Sequence, residues 1–329
     1  MATSIRRTST DLQVAVADWL LRSNARIRSG RHAGAIAGWL DARGDAQLVY
    51  PEIAGYYLSW LAQIAAFRPG LEVVRAANEA IEWLNTVTGN DCPPATRYCR
   101  DGRDDWRNGA RFTFDLAMIC RGLHAVRRLV PEQPRRNILR KLLRHALSGG
   151  DELPVAICAH HQLPDRWSTR PGPFQLKTAA ALLSIQEHPA PWKTFYRWSG
   201  RVLDAIDPDE LHAAFYALEG LVQFGAWGAP GAIRETAACF EMLFSSIDDA
   251  RSDVIAQGLR LGYRLQSFGF FRSPGWDDRL VELRSRLGAF ISDFGGVSFR
   301  SLDKEPVHFN TWAAIFAWQC LMMSEPKRV

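Results

Sequence analysis

Twelve stretches of this chain repeat apolar residues at i, i+3, i+4 and i+7, the period of an amphipathic helix, and they are of two kinds that alternate without exception. Those near 11–26, 70–87, 132–147, 191–206, 231–246 and 276–290 carry a charged face. Those near 51–66, 111–129, 173–187, 209–226, 250–267 and 309–323 are apolar or small on nearly every side, as in FDLAMICRGLHAV, FQLKTAAALLSI and TWAAIFAWQCLMM. A helix apolar all round has to be buried. Six outer–inner pairs in succession predict an all-α fold, an (α/α)6 toroid of six helical hairpins with an inner ring inside an outer one. Short connections make neighbouring helices antiparallel, so the inner helices all run the same way. Their N-termini then share one face, the mouth. The long connections, 27–50, 88–110, 148–172 and 291–308, fall on that face, while 67–69, 188–190 and 227–230 on the other are short. Long loops in a compact domain tend to carry function. Loops 37–50 and 291–308 hold short alternating stretches expected to pair as small β-hairpins over the mouth. No linker interrupts the pattern, so 1–329 reads as a single domain; an irregular helical solenoid is the alternative, which the unequal periods disfavour.

Composition narrows the function. The net charge of +5 is spread along the chain, and its densest basic stretch, 127–144, alternates with Leu and Ile as the solvated face of one helix, without the aromatic interleaving of a nucleic-acid groove. No nucleic-acid partner is expected. No apolar run reaches membrane-spanning length, and MATSIRRTSTDLQ lacks the apolar core of a secretory signal. Three of six scattered cysteines, Cys120, Cys239 and Cys320, sit in apolar helices as buried thiols, which suits a reducing, cytoplasmic compartment. Cys158-Ala159-His160-His161 has ligand-type residues without a second cluster, glycine-rich phosphate loops are missing, and Gly-x-Ser-x-Gly is absent. Neither a metal nor a cofactor is therefore expected. Twelve tryptophans are many, and Trp39, Trp106, Trp167, Trp227, Trp276 and Trp312 fall in loops or at helix starts, either as stacking platforms or as plugs between helices.

The chemistry-bearing residues stand where inner helices begin. YPEIAGYY opens the first: Pro51 suits the first helical position and Glu52 the positive end of the helix, between Tyr50 and Tyr56. Either the acid merely complements the helix or it faces a pocket. In NGARFTFDLAM, Asp115 lies among apolar residues, where an unpaired acid is costly; it pairs with a cation or works as an acid of raised pKa. Trp106 precedes it. Arg170, Gln175 and Lys177 of STRPGPFQLKTAA form a cluster suited to a carboxylate or phosphate, or to neutralising Asp115 or Glu52. His212, Tyr216 and Glu219 in LHAAFYALEGL share one helix face. The fifth helix offers Asp253 and Gln257; the sixth opens PVHFNTWAAIFAWQ, with His308, Asn310 and Trp312 bordering the opening and Asn310 alternatively an N-cap.

YPEIAGYY, FTFDLAMICRGL, LHAAFYALEGL and HFNTWAAIFAWQCL resemble the six-hairpin glycosidase-like superfamily, which includes unsaturated glucuronyl hydrolases and N-acylglucosamine 2-epimerases. The resemblance implies an inner-helix Asp as general acid and base, matched by Asp115, with aromatic rings stacking on sugars. The His-Asp pattern of the glucuronyl hydrolases is missing, and for the epimerase histidine pair there are only His212 and His308. Three readings stay open: a carbohydrate-active enzyme (hydrolase, lyase or epimerase) using Glu52, Asp115, Glu219 and His212 on a small-molecule or oligosaccharide substrate; a biosynthetic cyclase or tailoring enzyme with an apolar cavity; and a non-catalytic binding or scaffold protein. Oligomeric state is not legible.

Overall fold

In the computed structural model, which describes residues 8–323 except 249, 272 and 303–305, the helices follow in chain order with few strands between them. They are α1 (Ser9–Arg22), α2 (Pro51–Ile64), α3 (Leu71–Val87), the single turn α4 (Trp106–Gly109), α5 (Thr113–Ala125), α6 (Glu132–Ala146), α7 (Gln175–Leu183), α8 (Pro189–Trp198), the single turn α9 (Val202–Ala205), α10 (Leu211–Ala226), α11 (Pro230–Phe244), α12 (Ser252–Ser267), α13 (Pro274–Gly288) and α14 (Thr311–Met323). Local chemistry sets many of the ends. Thr8 and Asp11 cap α1 reciprocally, and proline opens α2, α8, α11 and α13, where its missing N–H costs nothing. The helix expected over 191–206 is broken into α8 and α9 around Gly200, whose φ of +77° a helix does not contain.

α2, α5, α7, α10, α12 and α14 contact one another in that order, and α14 returns to α2: the inner ring is closed. Each of α3, α6, α8, α11 and α13 packs on the inner helix before it in the chain, and α1 packs on α14, so the two ends of the chain complete the same ring. The structure is the expected (α/α)6 toroid. Residues 132–146 form an outer helix whose Ile138, Leu142, Leu143 and Ala146 are buried while Arg136, Arg140 and Arg144 are exposed. Cys120, Cys239 and Cys320 are buried.

Glycine lets parallel inner helices touch backbone to backbone. A Cβ built on Gly122 would fall on the carbonyl oxygen of Gly55 and 2.8 Å from its Cα, and one built on Gly55 would lie 2.6 Å from the Ile119 nitrogen. Gly220 stands likewise against the backbone of Leu176 and Lys177. Gly122→Ala is expected to cost about 1–3 kcal/mol, because neither helix can give way without moving the ring. Gly231→Ala, in open space on α11, is the control, expected to be neutral or slightly stabilising in the same denaturant titration.

The mouth loops differ from expectation. β1 (Trp39–Leu40) pairs antiparallel with β6 (Phe309–Asn310), β2 (Leu48–Val49) with β3 (Tyr98–Cys99), and β4 (Ala110–Phe112) with β5 (Ala156–Ala159). Isolated bridges such as Ala37↔Val49 and Ile291↔Val297 do fold each expected loop on itself, but the strands join different loops. Alternation within a loop reports an extended segment, not its partner. The register Trp39↔Asn310 ties the first mouth loop to the last.

Candidate active site

Five polar side chains meet at the mouth from the same position on five inner helices, the second or third residue of the first turn: Glu52 on α2, Asp115 on α5, His212 on α10, Asp253 on α12 and Trp312 on α14. Parallel helices that begin at one level put their first turns in a circle. Converging N-termini also make the mouth electropositive through the helix dipoles, a setting that favours carboxylates and any oxyanion formed there.

Glu52, Asp115 and His212 line a cavity of about 180 Å³, with Tyr50, Trp106, Phe114, Trp167, Tyr216 and Trp312 as its aromatic walls. Asp115 is 7% exposed and accepts a 2.6 Å hydrogen bond from the Thr96 hydroxyl. Burial pushes its carboxyl well above the usual range, and the Thr96 bond offsets only part of that. Glu52 is also raised, first by desolvation and then by the charge of Asp115, against the pull of Lys177 and Arg121 below. Two neighbouring carboxyls that both resist ionisation hold a proton near neutrality. Across the cavity, the His212 Nδ1 stands 3.3 Å from Oδ2 of Asp253, a carboxylate with no exposed surface. Arg251 grips Asp253 with two hydrogen bonds, of 3.3 and 3.2 Å, and the Trp312 indole donates a third at 3.2 Å. Burial depresses His212 to about 4 despite the attraction of Asp253, so it stands as a neutral imidazole. The mouth thus offers a proton donor on one wall and a base on the other.

Other sequence candidates are placed elsewhere. Glu219 is not at the mouth. Seven residues after His212 it shares that helix face but lies about 10.5 Å further along the axis. There it pairs with Lys177 at 2.5 Å and Arg260 at 3.2 Å, in a second cavity at the C-terminal ends of the inner helices. Arg260 and Lys177 outweigh burial and hold Glu219 down at about 2, unfit to donate a proton. Tyr56 lines that second cavity too, its hydroxyl 3.4 Å from that of Tyr216, so the two rings separate the cavities. Arg170 is exposed and pairs with Asp165, and Gln175 donates to the Leu153 carbonyl. With Lys177 they make no cluster, because α7 begins deeper than its neighbours, at the level of Glu219. His308 stacks on Trp39. Asn310 accepts a hydrogen bond from the Ala313 N–H at 3.0 Å, a buried N-cap, so Asn310→Ala is expected to lower stability by about 1 kcal/mol in a denaturant titration and leave ligand affinity unchanged.

Of the loop tryptophans, Trp106, Trp167 and Trp312 line the mouth, whereas Trp276 packs on Phe244 between helices and Trp227 rests, partly exposed, on Phe224 of its own helix. Thr96 and Arg251 carry no motif and went unseen in the sequence; Arg251 opens its helix just ahead of Asp253, whose i+2 spacing is their only signal.

The fold is shared with solved structures. A sugar epimerase from a ruminal bacterium aligns over 97% of this chain and 99% of its own, with a TM-score of 0.70 and 10% identity. A cellobiose 2-epimerase from Spirochaeta thermophila aligns over 98% of both chains (TM-score 0.66, 11% identity). An α-1,6-mannanase from Salegentibacter covers 96% of this chain and 97% of its own (TM-score 0.60, 10% identity). No protein-family model matches the sequence, and no curated protein matches it. At these identities the likeness is one of architecture: the chain shares the (α/α)6 toroid fold of these structures.

Proposed function

We infer that this protein is a carbohydrate-active enzyme that holds one sugar ring in the mouth cavity and moves protons on it with Asp115, Glu52 and His212. The observation that carries the reading is the opposition of a proton-retaining carboxyl pair to a neutral imidazole across an aromatic-walled cavity of about 180 Å³. A ring between Trp and Tyr faces presents its C–H surface to them and its hydroxyls to the polar groups. Asp253, fixed by Arg251 and Trp312, orients His212 and stabilises the imidazolium formed when His212 takes a proton. The carboxyl pair delivers a proton from the opposite wall. Such a two-wall arrangement suits reversible proton transfer at a sugar carbon, the chemistry of an epimerase or isomerase. The epimerases of the same architecture add support by analogy. Hydrolysis is the second reading, favoured by the adjacency of Glu52 and Asp115, which would serve as the carboxyl pair of a glycosidase.

Incubation in D2O with free aldoses and ketoses, uronates and short glycosides separates the two. Deuterium appearing on a sugar carbon, by NMR, marks carbon proton transfer; new reducing ends without carbon deuteration mark hydrolysis. If no sugar binds or turns over, the scaffold reading takes its place.

A further inference from the structure

The lower cavity, at the C-terminal ends of the inner helices, encloses about 430 Å³ and is the larger of the two, within the usual size of small-molecule sites. Its wall carries Arg121 from α5, Lys177 from α7 and Arg260 and Arg264 from α12, against one carboxylate, Glu219 of α10. Helix C-termini favour cations, and Arg264, exposed in the last turn of α12, suits that place. Lys177, instead, is in the first turn of α7, 3% exposed, with its ammonium 3.8 Å over the Tyr216 ring. Glu219 forms ion pairs with Lys177 and Arg260, and among the described residues Arg121 and Arg264 have no carboxylate within ion-pair distance. The buried Arg260 Nη1 and Gln319 Oε1 have no hydrogen-bond partner there either. Burial and the neighbouring Arg121 and Arg260 depress Lys177 to about 7 even beside Glu219, and the three arginines alone outnumber the one acid of the lining. The remaining wall mixes apolar side chains, among them Ala180, Val222 and Phe316, with the amides of Gln63, Gln223 and Gln319 and the hydroxyls of Ser59 and Ser184.

We propose that this lower cavity is a binding site for a phosphate ester of a small polyhydroxylated molecule, separate from the mouth, with the phosphate between Arg121, Lys177, Arg260 and Arg264 and the hydroxylated body against the amides and serines. A phosphate dianion matches an excess of two or three positive charges, and Arg forks present paired N–H groups to its oxygens. The Tyr56–Tyr216 pair keeps it apart from the mouth, so the site does not depend on the reading of the mouth.

The test is calorimetric titration of the full chain with inorganic phosphate, glucose 6-phosphate and glucose, at ionic strength matched with chloride. The expected order is glucose 6-phosphate tighter than phosphate, and glucose alone with no heat from this cavity. Arg121→Gln and Arg264→Gln, both at the less buried side of the cluster, each weaken glucose 6-phosphate at least tenfold with unchanged melting in chloride. Asp115→Asn leaves that affinity within twofold. Absence of phosphate-specific heat, equal affinity in the arginine variants, or an equal loss in Asp115→Asn, which would put the phosphate at the mouth, overturns the proposal.

Discussion

Asp115→Asn is expected to lower kcat on the sugar substrate by about 10²–10⁴-fold while leaving the far-ultraviolet circular dichroism unchanged, because the amide fills the same space but cannot hand over a proton. The Thr96 hydroxyl can still donate to the amide oxygen, so the local geometry survives. A pH series separates this role from a structural one. The folded chain raises the pKa of Asp115, and a raised acid contributes stability that is complete below its unfolded pKa and is lost as pH rises through the folded value. Asn has no such loss. The variant's melting temperature relative to wild type should therefore be higher at pH 8 than at pH 5, together with the missing activity. A variant that melts early at every pH, or one that keeps its turnover, would remove Asp115 from the chemistry.

Glu219→Gln carries the largest expected cost in stability, about 3–5 kcal/mol, the usual result of removing one member of a buried ion-paired group. The neutral amide would leave Arg260 and Lys177 enclosed with no counter-charge. Lys177 can relieve part of this by losing its proton, since its folded pKa is already lowered to about 7. A base with a lowered folded pKa binds more protons unfolded than folded, so stability rises with pH across that interval. The penalty in urea titrations should accordingly be greater at pH 6 than at pH 8.5. A cost under 1 kcal/mol at both pH values would mean that the triad is solvated.

These two acids looked alike in the sequence, each an isolated carboxylate on an otherwise apolar helix. Asp115 sits in the first turn of its helix and Glu219 in the third. Helical periodicity reports the angle of a side chain around its own axis and says nothing about how far one helix slides along another. Lys177 shows the same effect: it is in a first turn, but α7 starts lower, so Lys177 belongs with Glu219. Arg170 and Gln175 do not join it: Arg170 turns outward to its neighbour Asp165, and Gln175, at the start of α7, is drawn to the carbonyl of Leu153 on another loop.

What the sequence determined unaided was the succession of outer–inner pairs, which six helices are buried, and the direction in which they run, since burial on all faces and alternating loop lengths are local properties that survive in any register. It also placed Glu52, Asp115, His212 and Trp312 near helix starts: Pro51 and Asn310 mark two of them, and for α5 and α10 the onset of the apolar period is the signal. Depth was left to the tertiary structure. The contacts of Gly122 on Gly55 and of Gly220 on Lys177 set how far α5 is displaced along α2 and α10 along α7. That displacement, about two turns for α7 against α10, divides one expected bowl into a cavity lined by Glu52, Asp115 and His212 at one end and a cationic one at the other.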